Sequence, residues 1–189
     1  MQHLLTPYAL PIEPWVWWDG AFTEQELNLL QSKAKQAEQI AHVGSGVNQN
    51  VRRSQVSWLS NNNETQWVFE KLAGVASRIN AQHFRFDLTG FGEQLQLTHY
   101  DQSENGMYGW HQDYGGEVSR KLSMTLQLTD PSEYEGGNLQ IMTSGQPQNV
   151  RKQRGLIALF PSYVLHQVTP VTQGSRQSLV AWVSGPAFK

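Results

Sequence analysis

The chain contains no cysteine. Disulfides, zinc–thiolate sites, iron–sulfur clusters and cysteine nucleophiles are therefore all excluded. Charge is also scarce and nearly balanced, because 14 Lys and Arg residues stand against 16 Asp and Glu residues, for a formal net charge of −2. A chain with this balance has no bulk electrostatic attraction to nucleic acid or to an anionic membrane, and we expect neither as a partner.

Long hydrophobic runs are missing as well. Residues 1–14 contain no Lys or Arg and no long apolar stretch, and no later segment approaches the length of a membrane span. We therefore expect a soluble cytoplasmic protein without a signal peptide. Hydrophobic residues nevertheless make up 39% of the 189 positions, with seven Trp in all. This composition is typical of a globular protein that buries a sizeable core.

The pattern along the chain predicts one domain in two parts. Residues 1–14, with three Pro, are predicted to be extended, and Thr23 with Glu26 fits a capping box for a helix that extends to about Gln39. Residues 64–82 carry a second helical pattern. From residue 84 onward, alternation with period two and frequent turn signals predict about eight short strands.

We therefore predict a mainly β fold, namely a double-stranded β-helix (jelly roll) with two N-terminal helices packed on one sheet. Residues 1–83 would form the helical support and residues 84–189 the jelly roll, within a single domain spanning 1–189. A jelly roll directs polar residues inward when its interior holds a polar site. The polar positions of the alternating strands are pocket candidates: Gln96, Tyr100, Ser123, Thr125 and Gln127. The alternative is that these positions face water, as one side of most antiparallel sheets does.

Two histidines, an aspartate and an arginine form the most informative motif. His111 and Asp113 are separated by one residue, and His166 and Arg176 follow further along the chain. Two imidazoles and one carboxylate are the protein ligands of the facial triad that holds non-haem Fe(II). If residues 110–113 are extended, His111 and Asp113 point to one face of the same strand and bind one metal. An arginine nearby offers a planar fork that suits a carboxylate. Short motifs also arise by chance, and Arg176 alone also fits an ordinary surface position.

The context of this motif is a set of six sequence pieces in a fixed order. They are YDQSENGMYGWHQD (100–113), LSMTLQLT (122–129), EGGNL (135–139), GLIALFP (155–161), HQVTPV (166–171) and RQSLVAW (176–182). Because of them, residues 91–185 resemble the 2-oxoglutarate- and Fe(II)-dependent dioxygenases, and within these the prolyl 4-hydroxylase-like branch. The resemblance implies that His111, Asp113 and His166 bind iron and that Arg176 binds the distal carboxylate of 2-oxoglutarate.

The resemblance also implies roles for residues around that centre. Tyr100 stands where relatives often have a Tyr that hydrogen-bonds the co-substrate, and Ser178 shares the strand face of the arginine. Tyr108 and Trp182 match positions that line the substrate entrance and the pocket. Strand parity puts Tyr108 on the face opposite the first iron ligand, unless the glycine that follows it breaks the register. Gln127 stands where relatives often have a Tyr, so a co-substrate contact there is an open question.

The activity implied by the resemblance is hydroxylation of a C–H bond with O2, while 2-oxoglutarate is decarboxylated to succinate and CO2 and ascorbate serves as an optional reductant. The expected substrate is a prolyl residue in a peptide or protein, and a free amino acid or another small molecule is the alternative. Nucleic-acid demethylases of the superfamily typically carry a second Arg shortly after the first, and residues 177–185 contain none. Two further alternatives are a cupin-like metal-dependent enzyme that uses no 2-oxoglutarate, against which Arg176 argues, and a metal-binding jelly-roll module without turnover, against which the intact triad argues. Residues 42–52 and 101–109, rich in Gly, Asn and Ser, are expected to close over the substrate.

Overall fold

The computed structural model describes residues 13–37, 39–41, 46–115 and 118–187. The extended segment predicted for residues 1–14 lies outside these ranges except for its last two residues, and so does the part of the predicted closing loop at 42–45. The helices are α1 (Glu24–Lys35) and α2 (Gln66–Ile79), and α2 continues as a π-helix, Asn80–Phe84. Short 3₁₀ helices cover Gln102–Glu104 and Pro131–Glu133.

The strands are β1 (Val16–Trp18), β2 (Gln39–Ile40), β3 (Arg52–Arg53), β4 (Gln55–Leu59), β5 (Gly90–Phe91), β6 (Leu95–Asp101), β7 (Met107–His111), β8 (Arg120–Gln127), β9 (Tyr134–Gly136), β10 (Leu139–Thr143), β11 (Gln146–Asn149), β12 (Ile157–Pro161), β13 (His166–Val168) and β14 (Val171–Ser184). They form two antiparallel sheets. The larger has the order β1-β12-β8-β14-β6-β4-β2, with β5 and β9 also paired to the long strand β14, and the smaller has the order β11-β10-β13-β7-β3. The mainly β, jelly-roll fold predicted from the sequence is confirmed.

Both helices begin near the predicted positions but end differently. The capping box at the start of α1 is present, because Glu26 N donates to Thr23 Oγ1 and Thr23 N donates to the Glu26 carboxylate. The helix ends at Lys35 rather than near Gln39, because Gln39 and the next residue pair with β4 as strand β2. The second helical segment covers Gln66–Ile79 as α2 and continues as the π-helix to Phe84, two residues beyond the predicted end, and the Asn80 side chain bonds both backbone groups of Phe86 just after it.

One face of the larger sheet packs on the two helices. A single hydrophobic cluster joins Leu30 of α1 and Leu72 of α2 to Leu97, Leu126 and other apolar side chains of the sheet. The apolar half of each alternating strand therefore faces the helices. Burial of such side chains contributes on the order of 25 cal/mol per Å² of apolar surface, which makes this layer the main stabilising core.

The opposite face of the larger sheet meets the smaller sheet. There a second cluster joins Tyr100 and Phe160 of the larger sheet to Leu139, Ile141 and Val168 of the smaller one. Members of this cluster, together with polar and apolar side chains of both sheets, line an open space between them. Across the part of the chain that the structure describes, no helix has the length and apolar character needed to cross a bilayer.

Candidate metal centre

Three side chains converge between the two sheets. Within the described residues, the ligand atoms of His111, Asp113 and His166 all lie within 4.8 Å of one another. His111 Nε2 is 3.6 Å from Asp113 Oδ1, and His166 Nε2 is 3.5 Å from Asp113 Oδ2. These separations suit donors that surround one ion, and two imidazoles with one carboxylate are the donor set of non-haem Fe(II) sites.

The strands bring the ligands together differently from the prediction that His111 and Asp113 share a strand. His111 is the last residue of β7 and pairs directly with His166 at the start of β13. Asp113 lies beyond the end of β7, where its backbone N–H donates to Ser162 O at 2.9 Å. The expectation of a regular strand over 110–113 is therefore wrong, because the chain leaves the smaller sheet after His111 and is attached to the end of β12. The Asp113 carboxylate still reaches the two imidazoles.

Backbone carbonyls fix the orientation of both imidazoles. His111 Nδ1 lies 2.8 Å from Gly109 O, and His166 Nδ1 lies 2.9 Å from Val164 O. In each ring Nδ1 is therefore the donor, and Nε2 keeps its lone pair for a metal. Burial, followed by the neighbouring His166, lowers the pKa of His111 from 6.5 to about 4. The ring is thus neutral near pH 7, the form in which imidazole binds metal.

The carboxylate of Asp113 is also held by its neighbours. Ser123 Oγ donates to Asp113 Oδ2 at 2.6 Å, and Ser162 Oγ lies 3.1 Å from Ser123 Oγ. Burial raises the pKa of Asp113, but the two histidines and the Ser123 hydroxyl outweigh it, so that this pKa lies below its ordinary value. Trp182 Nε1 is buried without a hydrogen-bond partner in the described chain, although the indole is near enough to lower the pKa of Asp113 further.

A cavity of about 1040 Å³ opens beside this cluster. Of the five pocket candidates from the alternating strands, Gln96, Tyr100 and Thr125 line it. The other two are buried and contact functional side chains instead: Ser123 binds Asp113, as above, and Gln127 Oε1 accepts from Arg176 Nη2 at 2.9 Å. The polar faces of these strands are therefore interior, and the alternative that they meet water is wrong for all five.

Arg176 lies on the wall of the same cavity, and only 1% of its surface is exposed. Its hydrogen-bond partners are neutral, namely Gln127 and Ser178, whose Oγ accepts from Nη1 at 3.3 Å. Its Nε has no partner among the described residues, and the guanidinium carbon lies 5.4 Å from the centre of the Tyr100 ring. Burial, followed by the Arg176 charge, lowers the pKa of Lys152. The guanidinium is thus a buried cation that fits the distal carboxylate of 2-oxoglutarate.

Two aromatic side chains predicted to line the entrance also reach the cavity. Tyr108 stacks on His111, with ring centroids 3.4 Å apart and an angle of 13° between the planes. Trp182 lies on the same strand face as Arg176 and Ser178, and all three line the cavity. Burial raises the pKa of Tyr108, so its hydroxyl keeps its proton and remains a donor. Of the two predicted closing segments, the first borders the cavity through Val47 and Arg52, whereas the second contributes only Tyr108.

Sequence reasoning missed two further arginines in the cavity. Arg52, with 6% of its surface exposed, comes from strand β3 and lies over the Tyr108 ring. Arg120 pairs with Glu93 through two hydrogen bonds of 2.6 Å and lies 3.9 Å from the centre of the Trp182 ring. The sequence gives Arg52 no role beyond its place at the end of the predicted closing segment 42–52, and the pairing of β3 with β7 brings it to the site.

Known proteins with similar sequences point to one family. The profile of the 2OG-Fe(II) oxygenase superfamily matches residues 95–184. A PKHD-type hydroxylase of Synechococcus elongatus is 32% identical over 178 residues, which cover 87% of this chain and 76% of that protein. Four other PKHD-type hydroxylases are 37% to 43% identical over 79 to 92 residues, and these matches span only 36% to 41% of their length.

Solved structures share the fold. A prolyl-4-hydroxylase from Pseudomonas putida superposes with a TM-score of 0.74 at 20% identity, covering 90% of this chain and 92% of that chain. A prolyl hydroxylase from Trichoplax adhaerens, in complex with a fragment of the oxygen degradation domain of hypoxia inducible factor, gives a TM-score of 0.76 at 14% identity, covering 91% and 84%. At these identities the likeness concerns the fold, whereas the Synechococcus relative extends the sequence match over most of both chains. The chain therefore belongs to the 2OG-Fe(II) oxygenase superfamily, among the PKHD-type hydroxylases.

Proposed function

We propose that this protein is an Fe(II)- and 2-oxoglutarate-dependent hydroxylase of a prolyl residue in a peptide or protein. One observation carries the proposal: a facial-triad donor set and a buried arginine without a carboxylate partner in the described chain open into the same cavity. When bound, Fe(II), 2-oxoglutarate and O2 supply the oxidising chemistry, which hydroxylates a substrate C–H bond and releases succinate and CO2. The residues of this chain bind, orient and shield those groups.

The first task of the chain is to fix the metal and the co-substrate. His111, Asp113 and His166 would hold Fe(II), and a donor set of three protein side chains leaves room for the co-substrate on the metal. Arg176 orients 2-oxoglutarate by its distal carboxylate, while Gln127 and Ser178 hold the guanidinium in place through neutral hydrogen bonds. Tyr100, beneath that guanidinium, completes the co-substrate end of the cavity. Fixing the keto acid in this way lowers the entropic cost of reaching a reactive geometry.

The second task is to hold the substrate. Tyr108 and Trp182 offer flat aromatic surfaces beside the metal ligands, on which a pyrrolidine ring can pack. Exposed apolar side chains continue this surface to the mouth of the cavity, among them Ile40, Val47 and Trp58. An apolar rim of this size favours a peptide over a small polar molecule. A structural neighbour was solved with a peptide fragment in place, which supports the same class of substrate. Hydroxylation of a free amino acid is the second candidate.

The organisation of the chain is part of the proposal. We propose that residues 1–83 support the sheet and residues 84–189 carry the chemistry within one domain. Side chains of the first part also line the cavity, among them Ile40, Arg52 and Trp58, so the support contributes directly to the site. Exclusion of nucleic acid and a cytoplasmic location stay predictions from the sequence.

The test measures succinate formation with Fe(II) and 2-oxoglutarate against a panel of proline-containing peptides, with mass spectrometry of the products. We expect a gain of one oxygen atom on proline. Tyr108→Ala and Trp182→Ala should reduce peptide turnover by about tenfold or more while reducing peptide-independent 2-oxoglutarate decarboxylation less, since they remove substrate surface and leave every metal ligand in place. Trp17→Ala, which removes an exposed Trp that does not line the cavity, is the matched control.

Two results would count against the proposal at different levels. Turnover of free amino acids without activity on any proline-containing peptide would overturn the substrate and leave the iron chemistry standing. Failure of the iron-loaded protein to form any succinate from 2-oxoglutarate, with or without peptide, would overturn the activity itself.

A further inference from the structure

The cavity holds a second buried guanidinium that the proposed chemistry does not use. Arg52 Nε donates to Ser54 Oγ at 2.9 Å, and Nη2 donates to Gln96 Oε1 at 2.8 Å. Both partners are neutral, and 94% of the Arg52 surface is buried, since 6% is exposed. Within residues 13–37, 39–41, 46–115 and 118–187, no carboxylate pairs with it. A buried cation held only by neutral groups is costly, so its retention at a cavity wall indicates a place for an anion.

Every other charged group of the described chain that lines the cavity already has a partner or a ligand to bind. Arg120 is neutralised by the bidentate contact with Glu93. Asp113 lies between the two imidazoles and serves the metal. A ferrous ion and a 2-oxoglutarate dianion carry equal and opposite charges, with Arg176 facing the distal carboxylate. With the metal and 2-oxoglutarate bound, the positive charge of Arg52 has no counter-charge in the cavity unless the substrate supplies one.

The position of Arg52 identifies which ligand supplies that charge. Its guanidinium carbon lies 4.5 Å from the centre of the Tyr108 ring, and this ring stacks on His111. Arg52, Tyr108 and His111 thus form a continuous stack that runs from the edge strand β3 to the metal site. An anionic group at Arg52 therefore lies one aromatic ring away from a metal ligand, on the side where Tyr108 borders the cavity and apart from the Arg176 end.

We infer that Arg52 binds a carboxylate of the primary substrate, an inference that rests on the proposed hydroxylase function. Such a carboxylate has two sources: an acidic side chain or chain terminus in a peptide, or the α-carboxylate of a free amino acid. The guanidinium fork can donate two parallel hydrogen bonds to a carboxylate, and Nη1 makes no hydrogen bond to a described residue. The hydrogen bonds to Ser54 and Gln96 fix the fork before the substrate arrives.

The first experiment uses propionate as the probe and needs no knowledge of the substrate. The protein is loaded with Mn(II), a paramagnetic and redox-inert substitute for Fe(II), together with saturating 2-oxoglutarate, and the relaxation of the propionate protons is measured. We expect enhanced relaxation for propionate and not for propionamide, and at least about a tenfold loss of propionate affinity in Arg52→Gln, as for a charge-assisted hydrogen bond. Arg52→Lys should retain part of the affinity.

The matched control is Arg53→Gln. Arg53 is the next residue of β3, and its guanidinium donates to the backbone carbonyls of Asn105 and Gln49 outside the cavity. This variant should bind propionate as the parent does. Mn(II) binding in all variants shows that the fold and the metal centre are intact. Equal relaxation enhancement in Arg52→Gln and the parent, or none in the parent, overturns the inference.

The second experiment separates the two sources of the carboxylate. Turnover is compared within matched pairs: blocked prolyl peptides with Glu or Gln beside the proline, the same peptide with a free or amidated C-terminus, and free proline against prolinamide. We expect the charged member of one pair to exceed the neutral one by about tenfold or more in kcat/KM, and the ratio to approach one in Arg52→Gln. Turnover of the neutral members as efficient as that of the charged ones in every pair would contradict the inference.

The outcome for Arg52 is distinguishable from the outcome for the proposed function. Succinate formation without substrate depends on the metal ligands and Arg176, and it should be the same in the control variant Arg53→Gln as in the parent. Its absence in the parent counts against the hydroxylase function. In that case, and also when no candidate substrate is turned over, the propionate measurement alone decides whether Arg52 is a carboxylate site.

Discussion

Replacement of Arg176 by Met should weaken 2-oxoglutarate binding without lowering the stability of the ligand-free protein. Met keeps much of the length of the side chain and removes the charge. Without ligand, the parent buries a guanidinium whose described partners are all neutral. The variant loses hydrogen bonds and leaves the Gln127 amide unsatisfied, at a cost of about 1 to 3 kcal/mol. It also avoids the desolvation of a buried charge, which costs several kcal/mol. We therefore expect a ligand-free protein at least about as stable as the parent.

The effect on 2-oxoglutarate should be large. Truncating one partner of a buried, hydrogen-bonded charge pair costs about 2 to 5 kcal/mol, so Arg176→Met should weaken 2-oxoglutarate binding by at least about 30-fold. At a concentration of 100 times the Kd of the parent, the ligand stabilises the parent by about 2.7 kcal/mol. For a domain of this size that is roughly 5 to 10 °C in Tm. After a 30-fold loss of affinity, the same concentration stabilises the variant by under about 1 kcal/mol.

The assay is thermal unfolding of the Mn(II)-loaded protein with and without 2-oxoglutarate. Arg151→Met, at an exposed arginine whose guanidinium lies over Trp17, is the matched control and should keep the ligand-induced rise in Tm. Arg176→Lys should recover part of the rise, because an ammonium group supplies charge without the bidentate fork. A rise in Arg176→Met equal to that of the parent would refute the assignment of Arg176 as the co-substrate anchor.

Three further predictions concern the metal and the fold. His166→Ala should weaken Fe(II) or Mn(II) binding severely in a titration, because two ligands hold a hard divalent ion poorly; tight binding in this variant would disprove the triad. Ser123→Ala, which removes the hydroxyl bound to the carboxylate ligand, should weaken metal binding by about 10- to 100-fold with little change in secondary structure; unchanged affinity would show that this hydrogen bond is dispensable. Gly136→Ala should lower Tm strongly, because φ is +69° there and an added Cβ would overlap Pro170 O. Gly20→Ala, at φ +73° in open space, is the control and should lower the free energy of unfolding by only about 1 kcal/mol. An equal loss of stability in the two variants would mean that the sheet relaxes around the overlap.

The fold was predictable because the apolar pattern of the sequence is regular where the core is regular. Alternation along β6 and β8 places Leu97 and Leu126 on the helix side, and the polar positions between them on the cavity side. The capping box likewise marks the start of α1 from a local rule alone. The helix ends were less predictable, because they depend on non-local partners: β4 takes up the residues after α1, and the closure of α2 depends on the backbone at Phe86.

The site was predictable only where its residues share a strand or a motif. Arg176, Ser178 and Trp182 line the cavity together because they alternate along β14, as their spacing predicts. Arg52 has no such signal. Its hydrogen-bond partner Gln96 lies 44 positions further along the sequence, and Arg52 reaches the site only because β3 is the edge strand beside β7. Long-range strand pairing of this kind is not encoded in any local pattern.

The contact between Tyr108 and His111 follows from a local exception to strand parity. In a regular strand, residues three apart point to opposite faces. Here the pairing of β7 with β13 shifts register, since His166 opposes His111 while Val168 opposes Tyr108, so three steps on one strand match two on the other. The irregularity includes Gly109, whose N–H donates to Val51 O and whose C=O holds His111 Nδ1. The same bulge therefore turns Tyr108 into the cavity, orients the first metal ligand and joins β7 to the segment that carries Arg52. A bulge redirects side chains and loses hydrogen bonds between the paired strands. Because this bulge lies at the metal centre, we infer that it serves the site rather than the packing of the core.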